Sequence, residues 1–81
     1  MIRDDFFTLL GRFSQFKATL YIDEEMPISF SDAIVSSEIY DDKITIFGTG
    51  TTYVDLPGDP IIDEDEFVFE TKTYRIGIIC S

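Results

Sequence analysis

After Phe13 the apolar residues of this chain change their spacing. Before it, Phe6, Leu9, Leu10 and Phe13 recur at i, i+3, i+4 and i+7, the stripe of an amphipathic helix whose first turn Asp4 or Asp5 can cap. Gly11 weakens that helix by about 1 kcal/mol relative to Ala. From Phe16 the period is two. Phe16, Ala18, Leu20 and Ile22 alternate with Lys17, Thr19 and Tyr21, a half-buried strand that stops at Asp23-Glu24-Glu25-Met26-Pro27.

The remaining segments are short and bounded by turn residues. Ile34 to Tyr40 pairs with Lys43 to Phe47 through Asp41-Asp42, a hairpin signal. Gly48-Thr49-Gly50 turns into Thr51–Leu56, and Pro57-Gly58-Asp59-Pro60 breaks that strand because its prolines withhold backbone donors. Phe67–Thr71 and Thr73–Cys80 form a last hairpin near Lys72, with Phe47 and Phe67 expected in the core. The pattern predicts an α+β fold: one N-terminal helix packed on a mostly antiparallel sheet of about five or six short strands, in a single domain over residues 1–81.

Charge carries most of the functional information. Sixteen Asp and Glu stand against six Lys and Arg, a net charge of −10. Residues 21–70 hold fourteen of the acidic groups and one basic group, whereas residues 71–81 hold two basic groups and no acidic one. Concentrated charge of one sign repels itself, so an external basic partner is a reason for such a sequence to exist. Direct binding to nucleic acid or anionic lipid is not expected, since both rely on Lys/Arg clusters that are missing here. The longest apolar stretches are only a few residues, so neither a signal peptide nor a membrane span is expected. The single cysteine, Cys80, cannot form an internal disulfide, and a reducing cytoplasm is the expected compartment, the host's if the gene is phage-encoded.

Several enzyme classes drop out on composition. There is no His, hence no Ser-His-Asp triad, no Cys-His dyad and no imidazole ligand for zinc. Gly48-Thr49-Gly50-Thr51-Thr52 lacks the Gly-Lys-Ser/Thr ending of a phosphate loop and reads as a hairpin turn. Asp59, Asp63 and Asp65 offer hard oxygen ligands, and Glu70 falls at the twelfth position of an EF-hand loop, yet Glu64 occupies the position that needs glycine. Paired carboxylates do acid–base chemistry only in a cleft that separates their pKa values, and so small a sheet offers none. No catalytic residue, cofactor or dedicated metal site is expected.

The candidate site is therefore a binding surface. Asp63-Glu64-Asp65-Glu66 is the densest carboxylate run, and if extended it would set alternate carboxylates about 6.5–7 Å apart on one face. Asp41 and Asp42 form a second patch. Tyr40 and Tyr53, beside carboxylates, can anchor an Arg-rich surface through cation–π contact and hydrogen bonding. The expected function is an acidic inhibitor that blocks the nucleic-acid-binding surface of a basic protein by charge mimicry. In size and charge the chain is similar to phage or mobile-element proteins that mimic DNA, including anti-restriction and anti-CRISPR types, and to immunity proteins that neutralise basic nucleases. Two alternatives stand beside it: a homodimer or larger structural assembly formed through strand Tyr74–Cys80, and a divalent-cation-dependent binding module.

Overall fold

The computed structural model describes residues 2–22 and 26–81. Helix α1 spans Ile2–Leu10 and is followed by β1 (Gln15–Ile22), β2 (Ile28–Ala33), β3 (Ser36–Ile39), β4 (Lys43–Phe47), β5 (Tyr53–Pro57), β6 (Ile61–Asp63), β7 (Glu66–Glu70) and β8 (Tyr74–Cys80). The fold is α+β and every strand pairing is antiparallel. Among the described residues the strands number eight rather than five or six, and they form two sheets: five strands in the order β2-β1-β8-β7-β6, and three in the order β3-β4-β5. Strands β2 and β6 escape the sequence reading because their side chains are mostly exposed, so no buried face imposes an alternation. The turn expected at Asp23-Glu24-Glu25 lies outside the described residues.

The chain changes sheet at a corner. Ile34 donates its N–H to the Ser14 carbonyl (2.8 Å), and the next residue, Val35, donates to Phe47 of β4 (2.8 Å). Alternation then sorts the side chains of both sheets. Phe16, Ala18, Phe69, Ile76 and Ile78 from the larger sheet meet Ile44, Ile46, Val54 and Leu56 from the smaller one in a single buried cluster. Burial of each of the larger aliphatic or aromatic side chains stabilises the fold by about 1.5–3 kcal/mol.

Helix α1 closes the cluster with Phe6 and Leu10, one turn apart and almost fully buried. The Phe6 ring packs 4.7 Å from Phe67 and 5.2 Å from Phe69, centroid to centroid. Its last turn tightens to i→i−3 bonds, Arg12 N–H to Leu9 O at 2.9 Å and Gly11 N–H to Thr8 O at 3.3 Å, which leaves Phe13 outside the helix. Asp4 and Asp5 lie within the first turn rather than capping it. The capping acceptor is distant in sequence: Asp59 Oδ1 takes the Arg3 N–H at 3.2 Å.

Two further expectations are corrected. Phe47 sits opposite Tyr53 in the β4–β5 register, on the outward side of the smaller sheet and half-buried, because the inward positions of β4 are Ile44 and Ile46. Strand β8 lies between β1 and β7 with both edges hydrogen-bonded, so Tyr74–Cys80 has no free edge through which a second copy could pair. Cys80 points inward beside Phe16, and burial pushes its thiol up to about 11.

Candidate functional site

The four carboxylates from Asp63 to Glu66 come together, but at the tip of a hairpin rather than along a strand. Asp63 pairs with Glu66 across β6 and β7, which leaves Glu64 and Asp65 as a two-residue turn. Glu64 has φ 57°, the left-handed region that a two-residue hairpin demands and that a residue bearing a Cβ enters at a cost of about 1–2 kcal/mol. The extended spacing of alternate carboxylates is consequently absent, since hairpin closure takes precedence over strand continuity. Asp63, Glu64 and Asp65 are exposed. Glu66 is half-buried and lays its carboxylate over Gly77 of β8, in the space that a Cβ would fill. Together with Ile79 these four residues line an open hollow of about 360 Å³.

Asp41 and Asp42 form the tip of the β3–β4 hairpin, closed by the Tyr40 N–H to Lys43 carbonyl bond of 2.8 Å. The Arg3 guanidinium ties α1 to this tip by donating to the carbonyls of Tyr40 (2.7 Å) and Asp41 (2.9 Å). Gly58, at φ 68°, donates to the Asp42 carbonyl at 3.2 Å. Asp59 follows on Arg3, and four residues further along the chain Asp63 begins the other hairpin tip. One stretch, Gly58 to Glu66, thus joins the two carboxylate groups and adds Asp59, which the sequence reading treated as a turn residue and a possible cation ligand but not as part of the binding surface. Asp4 and Asp5, exposed on the first turn of α1, lie beside the same arginine in sequence.

Tyr40 and Tyr53 occupy the outward face of the smaller sheet, where they flank an open hollow of about 270 Å³ lined also by Lys43, Thr45, Phe47 and Asp55. On this face the polar groups are partly engaged with one another. The Tyr40 hydroxyl donates to Glu38, and that bond raises its pKa above the ordinary tyrosine value. Thr45 donates to Asp55 at 2.6 Å, while Lys43 Nζ lies 3.8 Å from Asp55 and 5.4 Å from the centre of the Tyr40 ring. Tyr53 is 59% exposed, with its ring centre 6.5 Å from that of Phe47. Tyr40 is therefore already engaged by a carboxylate and an ammonium, and of the two tyrosines Tyr53 is the open one.

Ion pairing separates these surfaces. Among the described residues the pairs are Arg3 with Asp4 and Lys43 with Asp55, each at 3.8 Å. Asp41, Asp42, Asp59, Asp63, Glu64 and Asp65 are all exposed and have no cationic side chain within ion-pair distance. The EF-hand-like reading of Asp59 to Glu70 fails on geometry, because the segment is a β-hairpin and no three such side chains among the described residues converge as ion ligands. No described helix is long and apolar enough to cross a membrane. Comparison with protein-family models, with curated proteins and with solved structures finds no match to this chain. Its class thus rests on its own geometry: a small α+β protein in which, among the described residues, six exposed carboxylates lie on two hairpin tips and the segment between them.

Proposed function

We propose that this protein is an acidic binding protein that occupies the nucleic-acid-binding surface of a basic partner, its carboxylates standing where phosphates would lie. One observation carries the reading: the run from Asp41 and Asp42 through Asp59 to Asp63, Glu64 and Asp65 is exposed and unpaired among the described residues. Unpaired like charges repel one another and lower stability, and a cationic partner removes that repulsion while the field speeds encounter. The charge mimicry is of surface potential, with the hairpin tips rather than a strand as its points. Antagonism of a host defence nuclease and immunity against a basic nuclease toxin are both instances of this mechanism.

The test is capture followed by competition. The immobilised protein, exposed to a bacterial lysate at low salt, is expected to retain nucleic-acid-binding proteins that duplex DNA then displaces. Retained proteins that duplex DNA leaves in place would overturn the reading.

A further inference from the structure

An open strand edge lies between the two acidic tips. Strand β6 ends the larger sheet and pairs with β7 alone, so its other side is free. In a hairpin with a two-residue turn the closing pair, here Asp63 and Glu66, is the hydrogen-bonded one. By alternation the N–H and C=O of Ile62 then point away from β7, toward the free side. The neighbouring side chains are apolar and uncovered, Ile61 at 56% and Ile62 at 59% exposure. Soluble proteins blunt sheet edges by keeping them short or with charge, proline or a bulge, and β6 is short, three residues. Here Pro60 precedes the strand, yet the edge itself carries two isoleucines bracketed by Asp59 on one side and Asp63, Glu64 and Asp65 on the other.

The opposite edge of the same sheet is β2. Strand β2 exposes Ile28 and Phe30, but its carboxylate, Asp32, is turned onto the Thr49 N–H (2.9 Å) and hydroxyl (3.0 Å). Strand β6 combines free backbone groups, exposed apolar side chains and exposed carboxylates at both ends.

We propose that β6 is the docking edge, and that an extended segment of a basic partner adds to it as a sixth strand. The segment's apolar side chains cover Ile61 and Ile62, and its Lys or Arg side chains reach Asp59 at one end and Asp63 to Asp65 at the other. A second copy of this chain is the wrong occupant, because at a net charge of −10 it would bring carboxylates against carboxylates. Backbone bonds supply affinity in strand addition and the alternating side chains supply selectivity. The inference rests on the proposed basic partner and specifies how that partner is held.

Two synthetic probes separate the parts. One is a peptide with a central Val-Val pair flanked on both sides by Arg, so that one Val meets Ile61 and the other Ile62 on opposite faces; the other has the same sequence and charge with N-methylated amides on the residues that would face β6. The unmethylated peptide is expected to bind about tenfold more tightly at low salt, the worth of one or two backbone hydrogen bonds, and to slow exchange of the Ile62 amide. Equal, salt-sensitive binding of both peptides would overturn strand addition while leaving the basic-partner reading standing. Binding of neither at low salt would overturn both. Ile62→Pro, whose missing N–H faces the free side, is expected to abolish the difference between the peptides; should that variant fail to fold, the N-methyl comparison on the unaltered chain decides.

Discussion

Gly48 and Gly77 sit alike, each with a carboxylate lying in the space of its missing side chain, yet substitution should affect them differently. The Asp32 carboxylate over Gly48 is held by the Ala33 N–H (2.7 Å), the Thr49 N–H (2.9 Å) and the Thr49 hydroxyl, so it cannot swing aside. The Glu66 carboxylate over Gly77 makes no hydrogen bond among the described residues and ends a flexible chain beside open solvent. Gly48→Ala is expected to destabilise by about 1–3 kcal/mol through the broken network, and Gly77→Ala to stay within about 1 kcal/mol of the parent, both read from urea unfolding. The bonds to Asp32, from Ala33 first and then Thr49, hold its pKa below the ordinary value of 3.8. A depressed carboxylate contributes stability above its unfolded pKa and loses it as pH falls through the folded value. Asp32→Asn should therefore melt below the parent at pH 6, with the gap closing below about pH 3.8 in paired thermal scans. Glu64 offers a third residue-scale test. Relieving its positive φ with Glu64→Gly is expected to stabilise the hairpin by about 0.5–1 kcal/mol, and under the proposed function it weakens partner binding; a variant that is less stable would remove the conformational argument.

The functional elements are hairpins, each displaying at its tip what its paired strands hold in register. The β6–β7 hairpin buries Phe69 and Val68 in its second strand and leaves its first strand and tip exposed, so charge at the tip can change without disturbing the core. Neutralising Asp63, Asp65 and Glu66 to Asn, Asn and Gln is expected to leave the unfolding midpoint equal or slightly raised while weakening association with the basic partner and flattening its salt dependence. Affinity at two salt concentrations beside a denaturation curve measures both effects, and unchanged affinity with an intact fold would move the site elsewhere. The β3–β4 hairpin differs because its tip is tied to α1 through the Arg3 guanidinium. Changes there perturb helix docking as well as charge, which makes the β6–β7 tip the cleaner experimental handle.

For the whole molecule, a net charge of −10 with two ion pairs among the described residues implies unrelieved self-repulsion. Raising ionic strength shortens the screening length from about 30 Å at 0.01 M to about 8 Å at 0.15 M. The melting temperature is therefore expected to rise as sodium chloride goes from 10 to 150 mM, an interval of roughly that change in screening. A fall over the interval would mean that attractive pairs outweigh repulsion and would weaken the case for an external cation. The core does not share this sensitivity, since it joins the two sheets and the helix through apolar side chains.

The order of residues alone specifies the helix stripe at Phe6 and Leu10, the β3–β4 hairpin around Asp41-Asp42, the turn at Gly48 to Thr52 and the final hairpin. Each is local, set by periodicity within one segment or by turn residues between two. It also determined the charge and its crowding into the middle of the chain. Tertiary structure alone decided that eight strands divide between two sheets, because the corner at Ile34 and Val35 depends on hydrogen bonds to Ser14 and Phe47. The same holds for Asp59, which becomes part of the acidic run only when the helix N-terminus comes to rest on it. It holds also for the free edge of β6 and the closed edges of β8, since which strands flank a given one is set by pairings with segments distant in sequence.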